Sequence, residues 1–395
     1  MSTALLAPLL VGAAAASGAF IWPTGGLFSD GGEGVEGISA VRALIVEDDD
    51  EHVIVLQVSA DAVGGGAAWL VPLPGAPTRA PASIDPAGLE PLLRATDPLF
   101  PMDPGCGGCK GGCDQTRTFD SGALVDVRSF GAQTAAGNRA WFGPEHTAAM
   151  IDELRWNGMT VDPALEAALL DYSAQGWGTL VVQLDGSGWD STATPMVAVR
   201  VAGGTPMLPM LLTARTAAET VHALVVTAGP SPTRPEGAQT TTPTLGEALY
   251  TLEWTPVFYE ARVKVAIEEA GGAAWVLEYS GDGAALIERQ GGRGDEGLVL
   301  FGADTAEVAE APFAILDDLA LRGLLPDDLD PATLHYTRWR SYLPVSALTD
   351  QRFGGAPGLE DYEVTFSNDD YNGRLQLVWP ALVGIAALRR RRRRA

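Results

Sequence analysis

At 395 residues and 46% apolar content, the chain is long enough for a large core, and its composition excludes wholesale disorder. Acidic residues number 50 against 26 basic ones, for a formal net charge of −24; six of the basic residues are the run Arg389 to Arg394, so the body is more acidic than the total suggests. Such a body repels nucleic acid and anionic membrane surfaces, which excludes a nucleic-acid partner.

In chain order, Met1 to Ala19 comes first. Leu5, Leu6, Leu9, Leu10 and Val11 lead into an alanine run ending Ser17-Gly18-Ala19. This reads as the apolar core of a signal peptide over residues 1–19, with a small-x-small cleavage site before Phe20. Its n-region has no Lys or Arg, and a buried N-terminal helix is the alternative.

Ile38 to Val46 and Val53 to Ser59 are β-rich runs separated by Glu47-Asp48-Asp49-Asp50-Glu51. The acidic residues fall where a hairpin turn belongs, so the expectation is a solvated turn, with a cation site as the alternative. Gly64-Gly65-Gly66 then opens Ala67 to Pro74, an apolar strand that carries Trp69 and stops at Pro72 and Pro74. Those prolines predict the closing edge of a sheet. Pro86 to Ala95 predicts a short helix with proline at its first position.

The three cysteines of the chain follow as Cys106-Gly-Gly-Cys109-Lys-Gly-Gly-Cys113. Three readings stand open: a local disulfide with one cysteine over, a metal site, or a reactive or intermolecular thiol. A disulfide suits an exported protein. A zinc site needs a fourth ligand, and His52, His146, His222 and His335 are scattered.

Gly122 to Phe130 alternates as a strand does. Pro144 to Asn157 and Pro163 to Tyr172 read as helices, with His146 as a surface residue. Thr179–Leu184, Met196–Val201, Met207–Thr213 and Val221–Thr227 are four strands predicting a substantial antiparallel sheet. Asp185 to Asp190 misses the calcium-loop pattern and reads as a turn. Gly229 to Gly246 has a linker composition. Beyond it come a helix over Val257 to Ala270, a strand over Ala273 to Tyr279, a helix over Pro312 to Gly323 and an aromatic-rich strand over Leu334 to Leu343. Arg293-Gly294-Asp295 matches an adhesion tripeptide too short to carry weight.

The expected fold class is α+β: a large, mostly antiparallel sheet with three to five packed helices and short terminal hydrophobic segments. The expected organisation is a β-rich domain over 20–228 containing the cysteine loop and two helices, and a second α+β lobe over 247–366.

Residues 375–395 form a tail in which Leu375 to Leu388, including Trp379, runs directly into Arg389 to Arg394. Fourteen residues fall short of the roughly 20 a spanning helix needs, though snorkelling arginines extend their reach. The arginines would remain on the cytoplasmic side and leave the acidic body outside. The tail is similar to the hydrophobic-plus-arginine sorting tails of bacterial surface proteins, without the cysteine of the myxobacterial version.

Five blocks, in order, carry a wider resemblance: Ala68 to Pro74; Trp156-Asn157-Gly158 leading to Tyr172 and Gly176; Pro206 to Thr213; Glu269 to Gly272 with Glu278-Tyr279; and Tyr336-Thr337-Arg338 followed by Thr349 to Phe353. From about residue 38 to 355 the chain resembles a bacterial family of exported proteins designated domain of unknown function 2330. Where such proteins carry an N-terminal cysteine pair, Thr24 to Phe28 has none. The resemblance implies an envelope protein and brings no catalytic residues or cofactor.

Function is therefore expected to be a non-enzymatic binding or structural role outside a bacterial membrane, in the periplasm or at the cell surface. The tail would tether it to that membrane, with an envelope protein as a partner. The alternative is a thiol- or metal-dependent enzyme using Cys106, Cys109 and Cys113.

Overall fold

The computed structural model describes residues 19–21, 27–28, 38–48, 50–60, 67–98, 139–156, 161–184, 196–203, 205–212, 217–243, 256–288 and 312–364. It is an α+β fold in four layers: helices, a sheet, a larger sheet, and helices again.

The larger sheet is built first from the hairpin β3 (Ile38–Asp48) and β4 (Glu51–Ala60), paired down to Asp48 opposite Glu51. β1 (Ala19–Ile21) and β2 (Leu27–Phe28) precede it and belong to the smaller sheet. β3 lies parallel to β11 (Ala217–Gly229), which pairs antiparallel with β15 (His335–Pro344), and β15 with β14 (Trp275–Asp282). On the other side β4 pairs with β9 (Met196–Ala202), and β9 with β6 (Ala82–Ile84). β13 (Thr240–Thr241) and β17 (Tyr362–Glu363) flank β14. The sheet thus takes strands from both sides of residues 229–246. That segment, predicted as a linker, carries β13 and also β12 (Thr233–Pro235).

β5 (Ala67–Leu73) belongs to the smaller sheet, ordered β2-β1-β5-β8-β7, with β8 at Gly178–Leu184 and β7 at Arg139–Phe142. It is central there, not the closing edge its prolines predicted. β1 reaches only Ala67 to Trp69, so Pro72 sits where β5 has a described partner on one side alone, the setting in which a strand proline is tolerated. The four strands read as one sheet divide among three: β8 joins the smaller sheet, β9 and β11 the larger. β10 is only Met207–Leu208, because Pro206 and Pro209 bracket it, and it pairs with β16 (Gln351–Gly355).

Alternation along each strand fixes the layers. Trp69, Val71, Leu180 and Val182 face Val41, Ala43, Ile54, Leu56, Val225 and Trp339 in a dry core between the two sheets. Leu70 and Val181, on the outer face of the smaller sheet, meet α2 (Thr147–Trp156) and α3 (Pro163–Ala174) through Ile151, Leu154 and Leu169. The opposite face of the larger sheet, with Leu44, Val55 and Leu224, is covered by α1 (Glu90–Ala95), α6 (Ala314–Leu321) and a short helical segment, α5, over 283–288. α4 (Pro256–Glu269) covers the β14 side with Tyr259, Val263 and Ile267. Six helices are present among the described residues, one above the expected range. None of them is long and apolar enough to cross a membrane.

At the acidic hairpin end Asp50 is exposed, as expected of a solvated turn, while Asp48 and Glu51 meet a cation from the sheet. Arg200 of β9 pairs with Glu51, places Nη2 2.5 Å from Asp48 Oδ2 and donates to Leu324 O at 2.7 Å. The cation these carboxylates hold is a guanidinium from the neighbouring strand.

Candidate functional site

The most concentrated chemistry lies between the larger sheet and helices α1 and α4. In β15 the sequence Tyr336-Thr-Arg338-Trp-Arg340-Ser-Tyr342 alternates, so two arginines share one face while Trp339 enters the core between the sheets. Opposite them β14 carries a bulge: Leu277 pairs with Trp339 and Tyr279 with Arg338, leaving Glu278 as the extra residue. Val276 pairs with Arg340, so alternation sets Glu278 on the same arginine face, and the bulge turns Tyr279 to that face as well. The side chains of Arg338, Arg340 and Glu278 are fully buried.

Arg338 Nε donates to Glu278 Oε2 at 2.7 Å and Arg340 Nε to Oε1 at 2.5 Å. Tyr259 of α4 donates its hydroxyl to Oε1 at 2.8 Å. On the α1 side, Arg338 Nη1 donates to Leu93 O at 2.6 Å and Thr96 Oγ1 at 3.1 Å, and lies 2.5 Å from Asp97 Oδ1. Two guanidiniums and two carboxylates therefore balance inside the protein. The cluster ties both helices to the sheet.

Arg340 Nη1 also reaches His222 Nε2 at 3.2 Å, and the His222 ring stacks on Tyr342 with centroids 4.4 Å apart. Lys264 of α4 stands over the other side of the layer, its Nζ 4.7 Å from the Tyr342 ring centroid. A donor at Nε2 requires an unprotonated nitrogen there. Burial, reinforced by Arg340, Arg338 and Lys264, holds the His222 pKa well below 6.5. Burial on its own would raise Glu278; Arg340 and Arg338, with hydrogen bonds from Arg340 and Tyr259, outweigh it and hold the carboxyl below its ordinary range. Burial pushes Tyr342 up to about 12 and Tyr259 well above 10. A general acid or base works best with a pKa near the operating pH. Every shift here moves away from neutrality and fixes the charge state.

A second junction joins three parts of the chain. Asp350 accepts the Tyr172 hydroxyl at 2.8 and 2.7 Å and the backbone N–H groups of Met210 and Leu211 at 2.7 and 2.8 Å. Burial outweighs these hydrogen bonds and raises the carboxyl pKa. Tyr172, Met210 and Asp350 come from three of the five blocks quoted above, and Glu278 and Arg338 bring the fourth block to the fifth. These blocks are contact partners across the fold.

At the end of β14, Ser280 Oγ lies 2.9 Å from His335 Nε2, and His335 Nδ1 lies 3.2 Å from Asp282 Oδ1. The order is that of an acyl-transfer triad, but its burial is reversed. Ser280 is 2% exposed while the Asp282 side chain is 68% exposed. Acyl transfer needs an accessible nucleophile and a buried orienting acid. The chain reads as a cross-strand hydrogen-bond relay.

An open cleft of about 320 Å³ lies where the end of α4, residues 236–239 and residues 347–351 meet, lined by Glu236, Gln239, Gly271, Trp275, Leu343 and Asp350 among others.

Cys106, Cys109 and Cys113, and the tail residues Leu375, Trp379, Leu388, Arg389 and Arg394, lie outside the described residues, as do Gly122 to Phe130 and Arg293 to Asp295. Among the described residues no group of His, Cys, Asp and Glu is placed to hold a metal ion. His146 is exposed as predicted, whereas His52, His222 and His335 are buried. From the sequence, Glu278 and Arg338 stand out only as members of quoted blocks, and Arg340 and Asp97 do not stand out at all. The available signal was two arginines at alternate positions within an otherwise buried strand.

No family model and no curated protein matches the chain. Among solved structures, one of baculovirus P35 aligns at TM-score 0.31 and 8% identity over 49% of this chain and 65% of that one. A mutated baculovirus P35 after caspase cleavage, solved at 2.7 Å, aligns at TM-score 0.29 and 11% identity, over 49% and 66%. The chain spans about two thirds of the length of these structures, and a likeness this distant carries no argument about function.

Proposed function

We propose that this chain is an exported envelope protein of the kind represented by domain of unknown function 2330, with a binding or structural rather than catalytic role. Its acidic four-layer body stands outside the membrane and its tail holds it there. The observation that carries the role is the state of the buried ionisable groups. Arg338, Arg340, Glu278 and Asp97 are matched in charge and spend their donors and acceptors on joining α1 and α4 to the sheet. Tyr172 and Asp350 likewise join α3 to the segment after β10. The location rests on the sequence: an apolar run from Leu375 to Leu388 ending in six arginines, behind a strongly acidic body.

The test is expression of the full chain, and of a chain lacking Arg389 to Arg394, in a bacterium with two membranes. The full chain is expected to sediment with membranes, with its body digested by protease once the outer membrane is opened. The shortened chain is expected in the soluble periplasmic fraction. Retention of the full chain in the cytoplasmic soluble fraction would overturn the proposal.

A further inference from the structure

The end of the β3–β4 hairpin carries two ionisable groups that the ion pairs around it do not use. Asp48 and Glu51 project to the helix-covered face of the larger sheet, where Arg200 holds them and reaches Leu324 O. Glu47 and His52 form the next cross-strand pair and project to the other face, that of Ile45, Ile54 and Val201. His52 is 2% exposed, and its Nε2 has no hydrogen-bond partner among the described residues. A buried polar atom without a partner is costly, and a buried unpaired charge is costlier still.

Glu47 is half-buried and leans over Gly229 of β11, where a Cβ would stand 3.2 Å from Oε2. Gly229 lies opposite His335, and His335 opposite Asp282. One face thus carries His52, Glu47, His335 and Asp282 in a row across the sheet. His335 is already engaged by Ser280 and Asp282. Thr78 and Arg79, beside β9, act on Glu51. The ionisable side chain directly opposite His52 is Glu47.

Proton uptake moves these two groups in opposite directions. Burial raises the Glu47 carboxyl above its ordinary value and lowers the His52 pKa to about 4. A folded value that is raised favours the closed state as pH falls, and a depressed one favours opening. Glu47 is therefore neutral by the time His52 takes its proton, and no carboxylate balances the imidazolium. Asp50, two residues away, is exposed, so fraying of the hairpin end is the short route to water. We propose that Glu47 and His52 make this hairpin end a proton-operated latch, held shut by protonation of Glu47 and released by protonation of His52, while the rest of the sheet stays closed. The latch goes beyond the envelope role, and its behaviour in the purified chain is independent of where the chain resides.

Hydrogen exchange of the purified full chain, read by mass spectrometry and corrected for the intrinsic rate at each pH, tests the proposal. Arg200 holds Glu51 below its ordinary range, so the ion pairs of the turn persist at pH 5. Glu47→Gln removes the closing group. Between pH 7 and pH 5 its protection over residues 47–52 and 199–202 is expected to fall about twentyfold, the change produced by an imidazole moved from 6.5 to about 4. His52→Leu removes the opening group, and its protection there is expected to hold or rise. The unaltered chain is expected between the two, and β11 and β15 are expected to keep their protection in all three. His52→Gln, neutral at every pH, takes the place of His52→Leu if circular dichroism shows the latter unfolded. A flat profile in Glu47→Gln, an equal fall without His52, or an equal fall across β11 and β15 would each overturn the proposal.

Discussion

Replacing Glu278 by glutamine keeps its shape and removes its charge. Arg338 would retain Asp97, but Arg340 would face a neutral amide, the neutral His222 and the Tyr342 hydroxyl, with no carboxylate partner shown and no exposure to water. Breaking a buried ion pair by removing one partner costs about 3–5 kcal/mol, because the remaining charge stays desolvated. With a urea dependence of about 3 kcal/mol per molar, the unfolding midpoint should fall by on the order of 1 M. Far-UV circular dichroism of purified chains in urea reads this directly. The double change Glu278→Leu with Arg340→Met leaves Arg338 matched to Asp97 and should regain at least about 2 kcal/mol over Glu278→Gln, since an apolar replacement of a whole pair is tolerated. The pH dependence has a defined sign. The folded carboxyl titrates below its ordinary value, so its contribution is complete above about pH 4.5 and disappears as pH falls through the folded value. The wild-type and Glu278→Gln curves should converge in that acid range. A loss within about 0.5 kcal/mol at pH 7, typical of surface positions, would refute the buried, water-free cluster.

His52 is buried and its pKa is lowered to about 4 by that burial, so stability should be complete above about pH 6.5 and fall by about 3 kcal/mol on acidification to pH 4. His52→Leu should flatten that branch of the urea-midpoint profile; an unchanged slope would assign it elsewhere. Tyr172→Phe should cost about 1.5–3 kcal/mol by leaving Asp350 short of a donor, and its effect should be non-additive with Asp350→Asn in a double-mutant cycle. Gly178→Ala places a methyl 2.3 Å from ring carbons of Trp141 and 2.5 Å from Phe142 O, and should cost about 1–3 kcal/mol by thermal unfolding; a neutral result would mean that β7 can yield.

The local elements were legible because their signals are local. Asp162 caps α3 through the Leu165 N–H, directly before Pro163, and glycines end α4. Strand alternation located β3, β4, β9, β11 and β15 within a few residues. Sheet membership was not legible, because register depends on partners distant in sequence. β11 pairs β3 across about 180 residues, and nothing in Val221 to Thr227 specifies that it lies parallel to its neighbour. The prolines of β5 misled for a related reason: they report one unpaired position, while Trp69 reports a strand closed in on both faces. The site residues were hidden by class. Charged residues are read as solvated by default, and only the pairing of β14 with β15 turns two strand arginines and one glutamate into a buried set.

That buried set also decides where the acidity of the chain resides. Among the described residues the fully enclosed charges are Arg42, Arg338, Arg340, Asp97 and Glu278. Arg338 and Arg340 are matched by Asp97 and Glu278, and Arg42 finds its balance in Glu90 at the edge of α1. Three guanidiniums thus meet three carboxylates, so the enclosed set is neutral and the acidic excess of the chain falls on the rest of it. Surface repulsion of this kind destabilises the compact state and is screened by salt, with a Debye length falling from about 30 Å at 0.01 M to about 8 Å at 0.15 M. Raising sodium chloride across that range should raise the unfolding midpoint, while the penalty for Glu278→Gln should stay constant, because the cluster lies beyond the reach of mobile ions. A midpoint that falls with salt would mean that exposed pairs such as Arg155–Glu166 and Arg322–Asp318 outweigh the repulsion, and that the charge excess is neutralised pairwise at the surface.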